Sequence, residues 1–207
     1  MSLFSYRNGA CVASIDATTR EFLRLRCIDM AVTLGGRIAT ADSLAEPVEP
    51  SIAHPDPRVQ VVGWSAEDLE APTNEAAARL LPPARVTDDE VAAEFRRLTE
   101  HDLREAKLGQ LQLVHDSLDE GDEVRLSMAE ALDWAAGVNT MRLILATWMR
   151  IDSPERADEV AHLARQSAPD RLGDQNAYFR HLFAHVYTIL GALQESVLEA
   201  LLDHAED

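Results

Sequence analysis

The strongest apolar pattern in the chain lies in DWAAGVNTMRLILATWMR, residues 133–150. At about 100° per helical residue, Met141, Trp134, Leu145, Val138 and Met149 fall within an arc of roughly 80°. Trp148 widens one edge of that arc, with Ile144 further round on the same side, and Ala135 and Leu132 widen the other. A helix apolar over most of its circumference is packed on several sides, so residues 127–151 are predicted as a central helix. Ser127 and Glu130 have the spacing of a capping box and start it. Asp152-Ser153-Pro154 ends it and opens the next helix, with Ser153 as cap and Pro154 at the first helical position. A break falls at 167–170, and a last helix is predicted from about Asp174 to Asp203.

Upstream, Thr87 and Glu90 repeat the capping-box spacing ahead of a helix that runs to about residue 119. Phe22, Leu25, Ile28 and Val32 recur at helical spacing within 17–39, and Gly35-Gly36 bends or frays the end of that helix. At the start of the chain, Asn8-Gly9 is flanked by Phe4, Tyr6 and Val12. The pair suits the positive φ angles of a tight turn, so a two-stranded ribbon is predicted over 1–15, and it must rest on a helix to be stable. Residues 41–86 hold seven of the nine prolines, beginning with EPVEPSIAHPDP, and read as an excursion of extended chain. Within it, RVQVVGW suits a short strand and NEAAARLL a helix of about two turns. Trp64, in VVGWSAEDLE, is expected to anchor that excursion; an exposed Trp64 would instead mark a partner site.

These elements predict an all-α fold: a bundle of about five helices with a short N-terminal β-hairpin and a long Pro-rich loop. The expected organisation is one domain over 1–207, with 87–207 as its main helical bundle.

Charge narrows the function. The formal net charge is -17, and apolar residues make up 46% of the chain. A nucleic-acid binder needs cations to displace phosphate counterions, and an anionic membrane surface needs them too, so both partners are disfavoured. The balance is +2 over residues 1–40 and -8 over residues 41–90, which leaves only a small basic face around Arg20, Arg24 and Arg26. No signal-peptide pattern opens the chain and no stretch is apolar enough to span a bilayer, so a cytoplasmic location is expected. Cys11 and Cys27 fall in different elements, with nothing to place them in an oxidising compartment.

Candidate chemistry centres on Arg142. Asn139 and Arg142 sit on one face of the central helix, inside its apolar arc. A guanidinium cannot shed its proton, so a buried one needs a carboxylate. The preceding helix offers acids where its own stripe lapses: after Val91, Phe95 and Leu98 come Asp102 and Glu105, before Leu108 and Leu111. The expected network joins Arg142 to Asp102 or Glu105 with Asn139 bridging, and Arg96 or Glu94 joining from one turn earlier. Structural and catalytic networks look alike at this level, and a guanidinium that snorkels to water is the plain alternative. His181 and His185 are four apart, a metal-ligand spacing, yet the apolar face of their helix is centred elsewhere. No phosphate loop, nucleophile elbow or zinc-protease motif occurs, and no cofactor is implied.

The stretches RLLPPARVTDDEVAAEFRRLTEHDLREAK and ALDWAAGVNTMRLILATWMRI resemble the DUF2017 family of bacterial proteins of unknown function. The shared pattern covers Arg79 to Pro82, Asp88-Asp89, Glu94 to Thr99, Asp102 to Arg104, Lys107, Trp134, Asn139 and Arg142-Leu143. Lys107, which is the one lysine of the chain, falls on the lysine of that pattern. YTILGALQESVLEAL is also similar to the family's last helix, whereas Ala135-Ala136 and residues 41–78 depart from it. The resemblance implies a helical cytoplasmic protein of GC-rich Gram-positive bacteria with no established activity. It carries a label of transcriptional regulation and implies a partner in proteolysis or sulfur metabolism.

The functional expectation is a non-enzymatic interaction or adaptor protein with a protein partner, and a homodimer could be closed by its apolar helices. The alternative is a small-molecule or metal-dependent enzyme using Glu94, Arg96, Asp102, Asn139 and Arg142. A transcriptional regulator is the third reading.

Overall fold

The structure, a computed structural model, describes residues 2–40, 59–60, 74–81, 89–119, 121, 123–170 and 174–205, with side chains described over 3–40, 74–81, 99–119, 121, 123–170 and 174–204. In chain order the elements are β1 (Ser2–Arg7), β2 (Ala10–Ser14), α1 (Ala17–Thr33), β3 (Arg37–Ile38), β4 (Val59–Gln60), α2 (Glu75–Leu80), α3 (Asp89–Ser117), β5 (Glu123–Leu126), α4 (Met128–Trp148), α5 (Pro154–Arg165) and α6 (Gln175–Ala205). The fold is mostly helical with a small N-terminal antiparallel sheet. Two compact units form, one from residues 1–15 and 123–207 and the other from 16–122. The sequence grouped 87–207 as one bundle; here α3 belongs to the second unit and α4, α5 and α6 to the first.

The first unit begins with the expected hairpin. Asn8 and Gly9 both take positive φ, 52° and 79°, which joins β1 to β2 in the hand that twisted strands require. The ribbon has a third strand that the sequence reading lacked: β5 pairs with β2, Ser14 opposite Glu123 and Cys11 opposite Leu126. In β5, Val124 and Leu126 are buried while Glu123 and Arg125 face out, the period-two pattern of a half-buried strand. The middle strand β2 is buried from Ala10 to Ala13, as its central place in the order β1-β2-β5 demands.

The sheet rests on helices. Phe4 meets Trp134 of α4 edge-on, with ring centroids 4.9 Å apart, and its backbone N–H donates to the Ser196 hydroxyl of α6 at 3.3 Å. Trp134, Val138, Met141, Ile144 and Leu145 are all buried, and so are Thr140 and Thr147 on the opposite side, so α4 is enclosed on opposite faces, as its apolar circumference predicts. Its start is the expected capping box: the Ser127 hydroxyl accepts from the Glu130 N–H, and the Glu130 carboxylate accepts from the Ser127 N–H. The helices α4 and α6 run antiparallel. Trp148 meets Phe183 near one end, while Ala135 meets Gln194 toward the other. Ser153 caps α5 with Pro154 at its first turn, also as expected.

The second unit packs α1 against α3. Leu23, Cys27 and Met30 from α1 are buried, as are Leu108, Leu111 and Leu118 from α3. Asp16 caps α1 by accepting from the Thr19 N–H at 2.9 Å. The other end closes on Gly35, at φ 76°: its N–H bonds Val32 O and the Gly36 N–H bonds Ala31 O, the paired bonds of a Schellman turn. A Cβ on Gly36 would run into the methyl carbons of Leu108, so the chain passes α3 closely there. Asn74 caps α2, and β3 pairs with β4 with Arg37 opposite Gln60. Thr87 and the side chain of Glu90, and with them the expected capping box, lie outside the described residues, as do Trp64 and most of 41–86. Among the described residues no helix is long and apolar enough to cross a membrane.

Candidate functional site

Arg142 projects from α4 half-buried, and α6 receives it. Its Nη1 donates to Gln194 Oε1 at 2.5 Å, and the guanidinium lies over the Tyr187 ring, 5.1 Å from the centroid. Gln194 in turn donates to the Ala135 carbonyl at 3.4 Å. The cation is thus held by an amide oxygen and an aromatic face, not by the carboxylate that burial was expected to require. The side chain as a whole is only half-buried, which relaxes that requirement, while its Nε is enclosed without a hydrogen-bond partner. Asn139 is exposed on α4 rather than bridging. On α3, Asp102 is exposed, while Glu105 lies 3.3 Å from His101 Nε2. Lys107 is half-buried, and burial pushes its ammonium pKa down. Glu94 and Arg96 lie on α3, with side chains outside the described set.

The buried ion pair of the second unit is one the sequence reading missed. Arg104 Nη2 donates to Glu100 Oε1 at 2.6 Å, and both side chains are only 3% exposed. Arg104 Nη1 donates to the Leu34 carbonyl, the cap residue of α1. The pair stitches the last turn of α1 to the middle of α3. Burial presses the Arg104 pKa down, with the Glu100 carboxylate opposing. One signal was available: Glu and Arg four apart with the acid first are neighbours on a helix. The inward stripe of α3 runs through 100, 104, 108 and 111, so the expected acids at 102 and 105 sit off its centre.

A second polar group lies further along α3. Gln112 grips the backbone of Ala39 at both ends, accepting from its N–H at 2.9 Å and donating to its carbonyl at 3.1 Å. The same amide donates to Asp116 Oδ1 at 2.8 Å, and His115 Nδ1 lies 3.0 Å from that oxygen. Cys27 is fully buried, and burial pushes its thiol pKa far up, with Arg24 opposing and Asp116 adding. Burial also raises the Cys11 thiol. Neither is poised as a thiolate.

His181 and His185 lie nearly parallel with centroids 6.4 Å apart, but His181 Nε2 lies 2.9 Å from the Gln166 carbonyl, to which it donates. A nitrogen carrying that proton has no lone pair for a metal. Among the described residues no group of three or more metal-type ligands occurs.

A concave feature of the first unit lies where α4 ends, α5 begins and α6 starts. It is a cleft of about 640 Å³ with Met149, Val160 and Leu163 in its lining. Trp148 and Phe179 flank it, 39% and 50% exposed, with Phe183 between them at 5.8 and 6.5 Å. Arg150, Arg156 and Arg180 supply its cations and Asp174 an anion. Sequence reasoning missed this site because its parts come from three helices whose packing no local pattern encodes.

A helical protein with a small three-stranded sheet, buried structural polar groups and an aromatic, cationic cleft is the class these observations define. The chain belongs to the DUF2017 family, described as a domain of unknown function, whose model matches residues 1–201. It is similar to a protein of Mycobacterium leprae described as "Putative oxidative stress regulator AosR", with 29% identity over 156 residues. The match covers 69% of this chain and 65% of the relative, so it spans less than two thirds of the relative's length. No solved structure matches the chain.

Proposed function

We propose that the protein is a cytoplasmic regulatory adaptor that works by binding another protein and not by turnover. The observation that carries this reading is the net charge of -17 in a chain whose relative is described as a stress regulator. A regulator this acidic pays heavily to approach phosphate, so its effect is expected to run through a protein partner rather than duplex DNA. A surface in support is the end of the α4–α6 pair away from the cleft, where Leu132, Leu198 and Leu202 are exposed, Leu202 by 67%. The enzyme reading draws less support, since Asn139 faces solvent and Arg142 is engaged by Gln194 and Tyr187.

The test places a photo-crosslinking residue at Leu132 and at Leu202 in the living source cell. A single protein captured at both positions, and lost when Leu198→Asp is added without lowering the melting temperature, is the expected result. Capture of a second copy of the chain would assign that surface to a homodimer. Retardation of random duplex DNA at micromolar protein in low salt would overturn the reading in favour of direct DNA regulation.

A further inference from the structure

We propose that the cleft at the junction of α4, α5 and α6 is a binding site for a small apolar anion, an aryl or acyl body carrying one carboxylate or sulfonate. The proposal goes beyond the adaptor reading and uses none of the leucines on which that reading leans.

Volume and lining set the body of the ligand. About 640 Å³ is within the range of pockets that enclose a small organic molecule and far more than a bound ion needs. Met149 and Val160 are buried, while Trp148, Phe179 and Phe183 form a connected row of rings. Such a surface favours a flat or extended apolar body over a sugar or a nucleotide phosphate.

Charge sets its head group. In a chain with nearly twice as many acids as bases, three arginines converge on this cleft. Two are available. Arg156 is spoken for, donating to Glu159 at 2.5 Å and lying 3.5 Å from the Met149 carbonyl. Arg150 and Arg180 are exposed, and among the described residues no ion-pair partner meets either. The one carboxylate in the lining, Asp174, accepts from the Ala177 N–H at the start of α6, which spends part of its charge on the helix end. The local balance therefore attracts one negative group.

The backbone carries an independent sign. Residue 150 sits at φ 55°, in the left-handed region, where it closes α4 with the Arg150 N–H on Thr147 O and the Ile151 N–H on Ala146 O. This is the position at which α1 uses Gly35. An arginine there is strained, and glycine would fill the same turn without cost. Strain retained at the rim of a cleft points to a use for the side chain, and an anion-binding guanidinium is that use.

The purified full chain would be titrated with 1-anilinonaphthalene-8-sulfonate, and with N-phenyl-1-naphthylamine as its uncharged counterpart, following fluorescence. The expected result is one saturable site in the micromolar range for the sulfonate and at least tenfold weaker binding of the neutral probe. Arg180→Glu should weaken the sulfonate at least tenfold. Arg150→Gly should raise the melting temperature and yet weaken the sulfonate several-fold, a combination that a purely structural role for Arg150 would not produce. Equal affinity for the two probes, or sulfonate binding unchanged in both variants, would overturn the anionic assignment and leave an apolar surface. Absence of saturable binding would overturn the site. None of these outcomes bears on crosslinking at Leu132 and Leu202, so the two readings fail separately.

Discussion

Replacing Arg104 by Met removes the cation from a site where both partners of the pair are 3% exposed. The Glu100 carboxylate then loses the guanidinium that donates to it at 2.6 Å, and the Leu34 carbonyl loses its side-chain donor. Breaking a buried pair by deleting one partner costs about 3–5 kcal/mol, because a charge is left in a poorly polarisable site. For a chain of this size that corresponds to a fall in melting temperature of roughly 6–20 °C. Glu100→Leu alone takes from the buried cation its acceptor at 2.6 Å and should cost a similar amount. The double variant Glu100→Leu with Arg104→Met removes both charges and fills the site with apolar atoms. Its remaining penalty includes the Leu34 carbonyl, about 1–3 kcal/mol. The assay is urea unfolding followed by circular dichroism for all four proteins, with hydrogen exchange of α3 amides to confirm that the second unit is the part affected. A double variant as unstable as the sum of the two singles would refute the reasoning, as would a single variant that loses less than about 1 kcal/mol.

Other expectations follow from separate parts of the fold. Because Ser14 lies opposite Glu123 in the sheet, a chain joining Ile15 to Asp122 through an Asn-Gly turn, and so lacking 16–121, should fold as the first unit, judged by a cooperative thermal transition; a molten spectrum would show that this unit depends on the excised one. Ser127→Ala should cost about 0.5–2 kcal/mol by chemical denaturation through loss of the α4 cap. The Ser127 hydroxyl and N–H hold the Glu130 pKa below its ordinary value, so this carboxylate's contribution is present above that value and disappears as pH falls through the lower folded one. The gap between wild type and Ser127→Ala should therefore narrow on acidification, and a gap that widens would contradict the capping box. Gln112→Leu should cost about 1–3 kcal/mol and speed exchange of the Ala39 amide, whose acceptor is the Gln112 oxygen. Burial raises the thiol pKa of both Cys11 and Cys27, so Ellman's reagent at mildly alkaline pH should label the native chain at least ~100-fold more slowly than the unfolded one; prompt labelling of either would contradict their burial.

Much of the architecture could be read one segment at a time. Asn8-Gly9 selects its own turn, Ser127 with Glu130 and Ser153 with Pro154 set helix starts, and the apolar circumference of α4 announces a helix enclosed on several faces. Those signals act over a few residues, and the local physics settles them before any helix meets another. The strand β5 escaped notice because four residues with two charges outward give too short an alternation to stand apart from a loop.

The polar sites depended on pairing. From α3 alone Asp102 and Glu105 read as the inward acids, but packing against α1 turns Glu100 and Arg104 inward instead, where Leu34 offers a third partner. From α4 alone Arg142 required an acid; α6 supplied Gln194 and the face of Tyr187. The cleft shows the same division more sharply, since Trp148, Arg150, Arg156, Phe179 and Arg180 are unremarkable on their separate helices. Sequence by itself determined that the chain is helical, acidic and opened by a hairpin, because turn, cap and periodicity are short-range energies. Which side chains share a site was left to tertiary structure, because that choice rests on contacts between segments far apart in the chain, whose free energies no local pattern records.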